Sequence, residues 1–242
     1  MITKIILPFK QNAVTFIILC AFANICHCMA TKVNMNQAID NVVKHYGVRI
    51  EPQLAHLFKK AHMQYPPKEI ALLAFKREQF IQLWAKNQQN TWRYIHTYPL
   101  TAYSGRLGPK LREHDRQIPE GIYHFTLFNP LSAMHLSIML NYPNHFDKLQ
   151  ASKDGRRKLG GNIFLHGKAL SVGCLAVGDK AIEQLFILTR RVGLHNAQII
   201  IAPNDLRKSK PSTNQFTQPR WLPELYTKIA RALNKFPLTE VN

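Results

Sequence analysis

Between Glu69 and Ala202 the apolar residues fall in short runs, each closed by glycine, proline or a polar cluster, and this punctuation restricts the fold more than any other feature. The runs Ile70 to Phe75, Gln79 to Ala85 and Thr91 to Thr97 have strand length and strand composition. Lys76-Arg77-Glu78 and Lys86 to Asn90 are polar turns between them, which predicts an antiparallel meander. Pro99 to Ser104 leads into turns at Gly105 and Gly108, and Gly121 to Phe128 and Met134 to Met139 add two more strands. Ala197 to Ala202 ends in four apolar residues in a row, the pattern of a strand buried on both faces. Strands and helices do not alternate regularly. The expected class is therefore mainly β (α+β), a sandwich or barrel-like sheet with flanking helices, rather than a doubly wound α/β fold.

Helical spacing appears at the two ends of this region. Ala38, Ile39, Val42 and Val43 share a face over residues 34 to 46, with Gly47 as the expected stop. Pro52 opens a second expected helix carrying Leu54, Leu57, Phe58 and Ala61, which ends before Pro66-Pro67. Lys180 to Val192 reads as a helix with Asp179 as its N-cap, and Pro223 to Phe236 as a terminal amphipathic helix. Asn204 to Arg220 is polar and basic and is expected to be a loop, and Tyr142-Pro143-Asn144 is a turn sequence.

The first thirty residues carry Lys4 and Lys10, no acid, an apolar middle from Ala13 to Ala23, and Cys28-Met29-Ala30 as a small-residue cleavage site. This is the layout of a signal peptide, and the apolar segment is short for a membrane span; an uncleaved N-terminal anchor is the alternative. The residues before Cys20, Cys26 and Cys28 do not form a lipobox. Those three cysteines lie in the leader, so the mature chain holds only Cys174, which excludes a disulfide scaffold and multi-cysteine zinc sites. The net charge of +18 favours polyanionic partners. In an exported protein these are cell-wall peptides, lipid head groups or envelope polymers, not nucleic acid.

The stretch Gly160 to Asp179, GGNIFLHGKALSVGCLAVGD, sets His166 and Cys174 at two chain reversals eight residues apart. An imidazole that takes the proton of a thiol makes a nucleophile, and a glycine beside the thiol lets backbone N–H groups approach a developing oxyanion. The pattern points to Cys/His acyl transfer, with Cys174 as nucleophile, His166 as general base and later acid, and the N–H groups of Cys174 and Gly173 as oxyanion donors. Ser171 either orients the histidine or caps the turn.

His166-Gly167, then Ser171-Val172-Gly173-Cys174, then Asp179 resemble the short-spacing branch of the YkuD-domain L,D-transpeptidases. Further residues fit the same branch: Ser104 to Lys110, Asp115, Pro119 to Tyr123, Asn129-Pro130, His135-Leu136-Ser137 and Tyr142-Pro143-Asn144. The resemblance spans about residues 68 to 207. With the readings above it gives a leader at 1–30, a helical lead-in at 31–67, a catalytic domain at 68–207 and a basic loop with a C-terminal helix at 208–242. It further implies acyl transfer on peptidoglycan stem peptides, with a thioester formed at the meso-diaminopimelate carbonyl and passed to an amine. Hydrolytic members that release a wall-bound lipoprotein belong to the same branch. Tyr142, Asn144, His135 and Gly167 match positions bordering the family's cleft and are candidate substrate contacts. No cofactor or metal is implied, and the leader gives the periplasm as the expected location of the mature chain. A zinc peptidase and a non-catalytic wall-binding module are the rival classes, the first lacking an HxxxH or similar ligand spacing.

The leader reading predicts that exported protein begins at Thr31. Intact-mass measurement checks this, and a mass that still includes Met1 supports the anchor instead.

Overall fold

In the computed structural model, residues 34–211 and 218–239 are described; the expected leader lies outside them. The centre of the fold is β1 (Ile70–Phe75), buried along its whole length because it has a strand on each side and a helical layer on each face. β2 (Phe80–Lys86) and β3 (Trp92–Pro99) continue from it as the expected antiparallel meander, and β8 (Ala197–Ala202) lies parallel to it on the other side. β4 (Gly121–Asn129) follows, then β5 (Ser137–Leu140), β6 (Phe164–His166) and β7 (Leu175–Ala176), giving the order β3-β2-β1-β8-β4-β5-β6-β7. β4 pairs with β8 through its first half and with β5 through its second, and its register shifts between Phe125 and Leu127. Such an irregularity bends a strand. The result is a mixed, half-barrel sheet of α+β class, as the sequence pattern predicts.

Alternation along the central strands divides two cores. Ile70, Leu72 and Ala74 of β1 and Ile199 and Ile201 of β8 face one core; Ala71, Leu73 and Phe75 with Ile200 and Ala202 face the other. The first core is closed by α1 (Met35–Lys60) and α3 (Asp179–Val192), the second by α4 (Leu222–Leu233) through Leu222, Leu225, Ile229 and Leu233. Leu222 begins α4 one residue before the Pro223 expected from sequence.

α1 corrects one expectation. It is a single helix through Gly47 and Pro52, where a break was predicted. Glycine and proline carry helix penalties of about 1 and 3 kcal/mol relative to alanine. The second is softened here because the carbonyl left without a donor belongs to Val48, a residue 83% exposed and open to water. Against these costs stand Ile50, Leu54 and Phe58, all fully buried, each worth about 1.5–3 kcal/mol by area removed from water. Packing wins, and α1 lies along α3 with Arg49 on Glu183, Arg191 on Glu51 and Arg190 on Asp40.

A second difference is α2 (His145–Lys153), which was not predicted. The Tyr142-Pro143-Asn144 turn leads directly into it: Asn144 and Asp147 form a reciprocal capping box, and Asn144 Nδ2 also donates to the Ile122 carbonyl at 3.0 Å. The loop after β8 begins as built structure, with Asn204 and Asp205 buried and Arg207 bonded to Asp205 and to the carbonyls of Phe236 and Pro237.

A buried ion pair joins these parts. Lys76, at the end of β1, and Glu120, just before β4, are 1% and 0% exposed with Nζ and Oε1 3.0 Å apart. Lys76 Nζ also donates to the carbonyls of Gly108 and Ile118, while Glu120 accepts from the Gly108 N–H and the Tyr226 hydroxyl of α4. Burial pulls the Lys76 pKa down and Glu120 opposes it. Removing one member leaves an unpaired buried charge, a loss of about 3–5 kcal/mol. Glu120→Ala is expected to lower unfolding free energy by that amount in urea titration; a change under about 1 kcal/mol contradicts the clasp.

Candidate active site

The last two strands place the two reactive side chains. β6 and β7 run parallel, with Leu165 opposite Leu175 and His166 opposite Ala176. Cys174 immediately precedes β7, two residues before Ala176, the partner of His166, so the two backbones are about one strand spacing across and two residues along, roughly 8 Å apart. The thiol is held at that corner: the Phe164 N–H points at Sγ at 3.4 Å, and Sγ faces the Asn162 carbonyl at 3.7 Å.

The imidazole tautomer follows from its partner. His166 Nδ1 lies 2.6 Å from the Gly167 carbonyl oxygen, which can only accept, so Nδ1 carries the proton and Nε2 keeps its lone pair. His166 is 4% exposed, and burial holds its pKa below the ordinary imidazole value, offset in part by the Gly167 carbonyl. Burial pushes the Cys174 thiol up, outweighing the Phe164 N–H and the charge of Lys110. Both shifts favour the uncharged forms. At neutral pH the two groups are thereby held as a thiol and a neutral imidazole.

The turn before the cysteine is fixed by a relay of hydroxyls. The Gly173 N–H donates to Ser104 Oγ at 2.7 Å, Ser104 Oγ lies 2.9 Å from Ser171 Oγ, and Ser171 Oγ donates to the Cys174 carbonyl at 2.8 Å. Read in that order every group donates once, so both sides of the Gly173–Cys174 segment are tied. Gly173 has φ +113°, and a Cβ there would stand 3.2 Å from the Gln117 carbonyl oxygen, so glycine is required by conformation and by close approach.

The sequence model of the YkuD L,D-transpeptidase catalytic domain matches residues 70–201. The chain belongs to the YkuD L,D-transpeptidase family. YafK of Escherichia coli, from strain K12 and from O157:H7, is 28% identical over 130 residues, 53% of this chain and 50% of the relative. The chain thus spans about half the length of the curated relatives it matches. Among solved structures, the helical cell shape determining protein Pgp2 of Campylobacter jejuni aligns with TM-score 0.47 and 21% identity over 58% of this chain and 50% of that one. Bd1075 of Bdellovibrio bacteriovorus aligns with TM-score 0.42 and 23% identity over 58% and 50%.

Within this L,D-transpeptidase domain the other expected residues divide. Gly173 and Cys174 were expected to donate to an oxyanion; the Gly173 N–H is bonded to Ser104 Oγ, and the Cys174 N–H has no partner among the described residues. Ser171 bonds the Cys174 carbonyl and Ser104 rather than the imidazole. Tyr142 is 4% exposed, with its hydroxyl toward the carbonyls of Lys110 and Leu159, and Asn144 is the N-cap of α2; both side chains are spent on structure. His135 has φ +72° and bonds Glu183 at 2.8 Å, under the edge of Tyr46. Gly167 allows tight packing, since a Cβ would meet Asp179 Oδ1 at 2.6 Å and the Met134 carbonyl at 2.9 Å.

Asp179 is the clearest reassignment. The N-cap of α3 is Gly178, without a side-chain cap, and Asp179 Oδ1 instead accepts the Lys168 N–H at 2.7 Å. Sequence reasoning also missed Ser104 as a contact of the cysteine turn and Gln117 as the support beneath it, although Ser104-Gly105 stood in the motif. Gln117 bonds the backbone of Arg106 and Gly108 and so shapes the loop that meets Gly173.

The raised thiol pKa gives a direct test. Alkylation of Cys174 by iodoacetamide is expected to be slow at neutral pH and to rise to a midpoint above that of a free cysteine, about 8.5. A rate already at its plateau near neutrality would mean a thiolate–imidazolium pair instead.

Proposed function

We propose that this chain is a periplasmic, peptidoglycan-modifying L,D-transpeptidase that works through a cysteine acyl-enzyme. The observation that carries the reading is the Cys174–His166 pair: a cysteine immediately before β7 and a neutral histidine, with Nε2 unprotonated, at the end of the adjacent strand β6, inside a domain matched over residues 70–201. His166 Nε2 takes the thiol proton as sulfur attacks the carbonyl of the third, meso-diaminopimelate residue of a stem peptide. The tetrahedral oxyanion meets the Cys174 N–H. Collapse breaks the amide bond to the terminal D-alanine, whose amine leaves with the proton from His166, and a thioester remains. An amine of another stem then attacks the thioester and regenerates the thiol. Water in that place gives a carboxypeptidase; a lysine amine of an envelope protein gives an amide that anchors the protein and frees the thiol, and attack of Cys174 on such an amide, with the lysine amine leaving and water then hydrolysing the thioester, gives release.

The charge of the chain fits such a substrate, because stem peptides carry free carboxylates and the protein has 32 basic against 14 acidic side chains. Digestion of purified muropeptides, resolved by mass, distinguishes the outcomes. Loss of one D-alanine with a new 3-3 cross-link is expected for the parent, and no turnover for Cys174→Ala. Cys174→Ser is expected to be nearly inactive, since a hydroxyl ionises far less readily than a thiol. Turnover by Cys174→Ala would end the covalent mechanism, and an inert parent would favour a wall-binding module.

A further inference from the structure

Asp179 stands outside the thiol–imidazole pair, yet its carboxylate holds the peptide that governs the imidazole. The amide between Gly167 and Lys168 has two polar ends. Its carbonyl accepts the Nδ1–H of His166 at 2.6 Å, and its N–H donates to Asp179 Oδ1 at 2.7 Å. In a trans peptide these two groups point in opposite directions, so the amide lies between imidazole and carboxylate as the middle link of a series. Hydrogen bonds in series polarise one another: a carboxylate on the N–H makes the carbonyl a better acceptor. The fit is close. A Cβ on Gly167 would stand 2.6 Å from Asp179 Oδ1, 2.9 Å from the Met134 carbonyl and 3.0 Å from Ile182 Cγ2. The preceding amide is held too, the Gly167 N–H donating to the Leu136 carbonyl at 3.2 Å.

We propose that Asp179 is a positioning residue for His166: through the Lys168 N–H it fixes the Gly167–Lys168 amide so that its carbonyl holds Nδ1–H and leaves Nε2 for the thiol. The inference rests on the reading of Cys174 as nucleophile and His166 as base. It gives the carboxylate the orienting part it plays in a Cys/His/Asp triad, one peptide removed. Other charges nearby are occupied elsewhere. Lys168 Nζ reaches the Ala133 carbonyl at 2.7 Å, and Glu183, one turn along α3, is held by His135 and Arg49. Asp179 is exposed, so its charge is screened, and the effect comes from the acceptor oxygen more than from the negative charge.

The test is single-turnover acylation of Cys174 by p-nitrophenyl acetate, from mildly acidic to alkaline pH, with the Cys174→Ala background subtracted. The thiol proton goes to His166, a carbon–sulfur bond forms, the aryl ester bond breaks and nitrophenolate is released, without dependence on any wall substrate. Asp179→Ala is expected to be roughly tenfold slower at neutral pH, the effect of one orienting hydrogen bond. Asp179→Asn keeps an acceptor for the Lys168 N–H and is expected to remain near the parent rate. At alkaline pH, where the thiol ionises unaided, the three rates are expected to converge. The proposal is overturned if Asp179→Ala matches the parent at neutral pH, if Asp179→Asn is as slow as Asp179→Ala, or if the loss persists undiminished at alkaline pH, as collapse of the site would cause. His166→Gln separates the layers. If it is slow while Asp179→Ala is not, only this inference fails; if it acylates like the parent, the base assignment fails and the proposal with it.

Discussion

The Lys76–Glu120 pair is the contact on which the rest of the molecule depends, because it is made at the point where three parts of the chain meet. Lys76 ends the central strand, Glu120 precedes the strand that turns the sheet, and both reach Gly108 in the loop between. Tyr226 brings α4 to the same carboxylate. A buried ion pair is weak evidence for stability as such, since apolar replacements of both partners are often neutral. Its value here is register: a charged lysine without water accepts only the arrangement that gives it Glu120 and two carbonyls. The loop from Gly105 to Ile118 is thereby held against the sheet, and that loop supports Gly173 through Gln117.

From this frame the reactive pair follows by strand register. β6 and β7 are short, of three and two residues, and are anchored in the first core by Ile163, Leu165, Leu175 and Val177. Polar contacts at defined positions then fix the two turns: the serine relay on the cysteine side, and the Gly167 amide on the histidine side. The uncharged state of the buried imidazole and the half-buried thiol is the electrostatic counterpart of this arrangement. A site that holds thiol and imidazole neutral keeps no buried charge at rest.

The strands were legible in the sequence because run length and punctuation are local signals, and β1, β2, β3 and β8 lie where those signals put them. Cys174 and His166 were legible through their motif. The continuity of α1 was not, since Gly47 and Pro52 are local penalties and the burial of Ile50, Leu54 and Phe58 that overrides them is a tertiary fact. α2 was hidden because its nine residues bury only Gln150 and Ala151; the Asn144-x-x-Asp147 cap was its one signal. Asp179 was misread because a carboxylate just before an apolar helix suits a cap equally well. Ser104 meets Gly173 across 69 residues of chain, a distance over which spacing says nothing.

The acids of this chain are few, and the structure draws many of them inward. Glu120, Asp115, Glu183 and Asp205 each hold a cation in a buried or half-buried pair, and Asp115 also caps three backbone N–H groups. What faces solvent is accordingly richer in cations than the balance of 32 to 14 suggests. Such a surface has few internal counter-ions, so it draws its compensation from the medium, over a Debye length of about 8 Å at physiological ionic strength. Its attraction to any polyanion is therefore expected to weaken steeply with added salt.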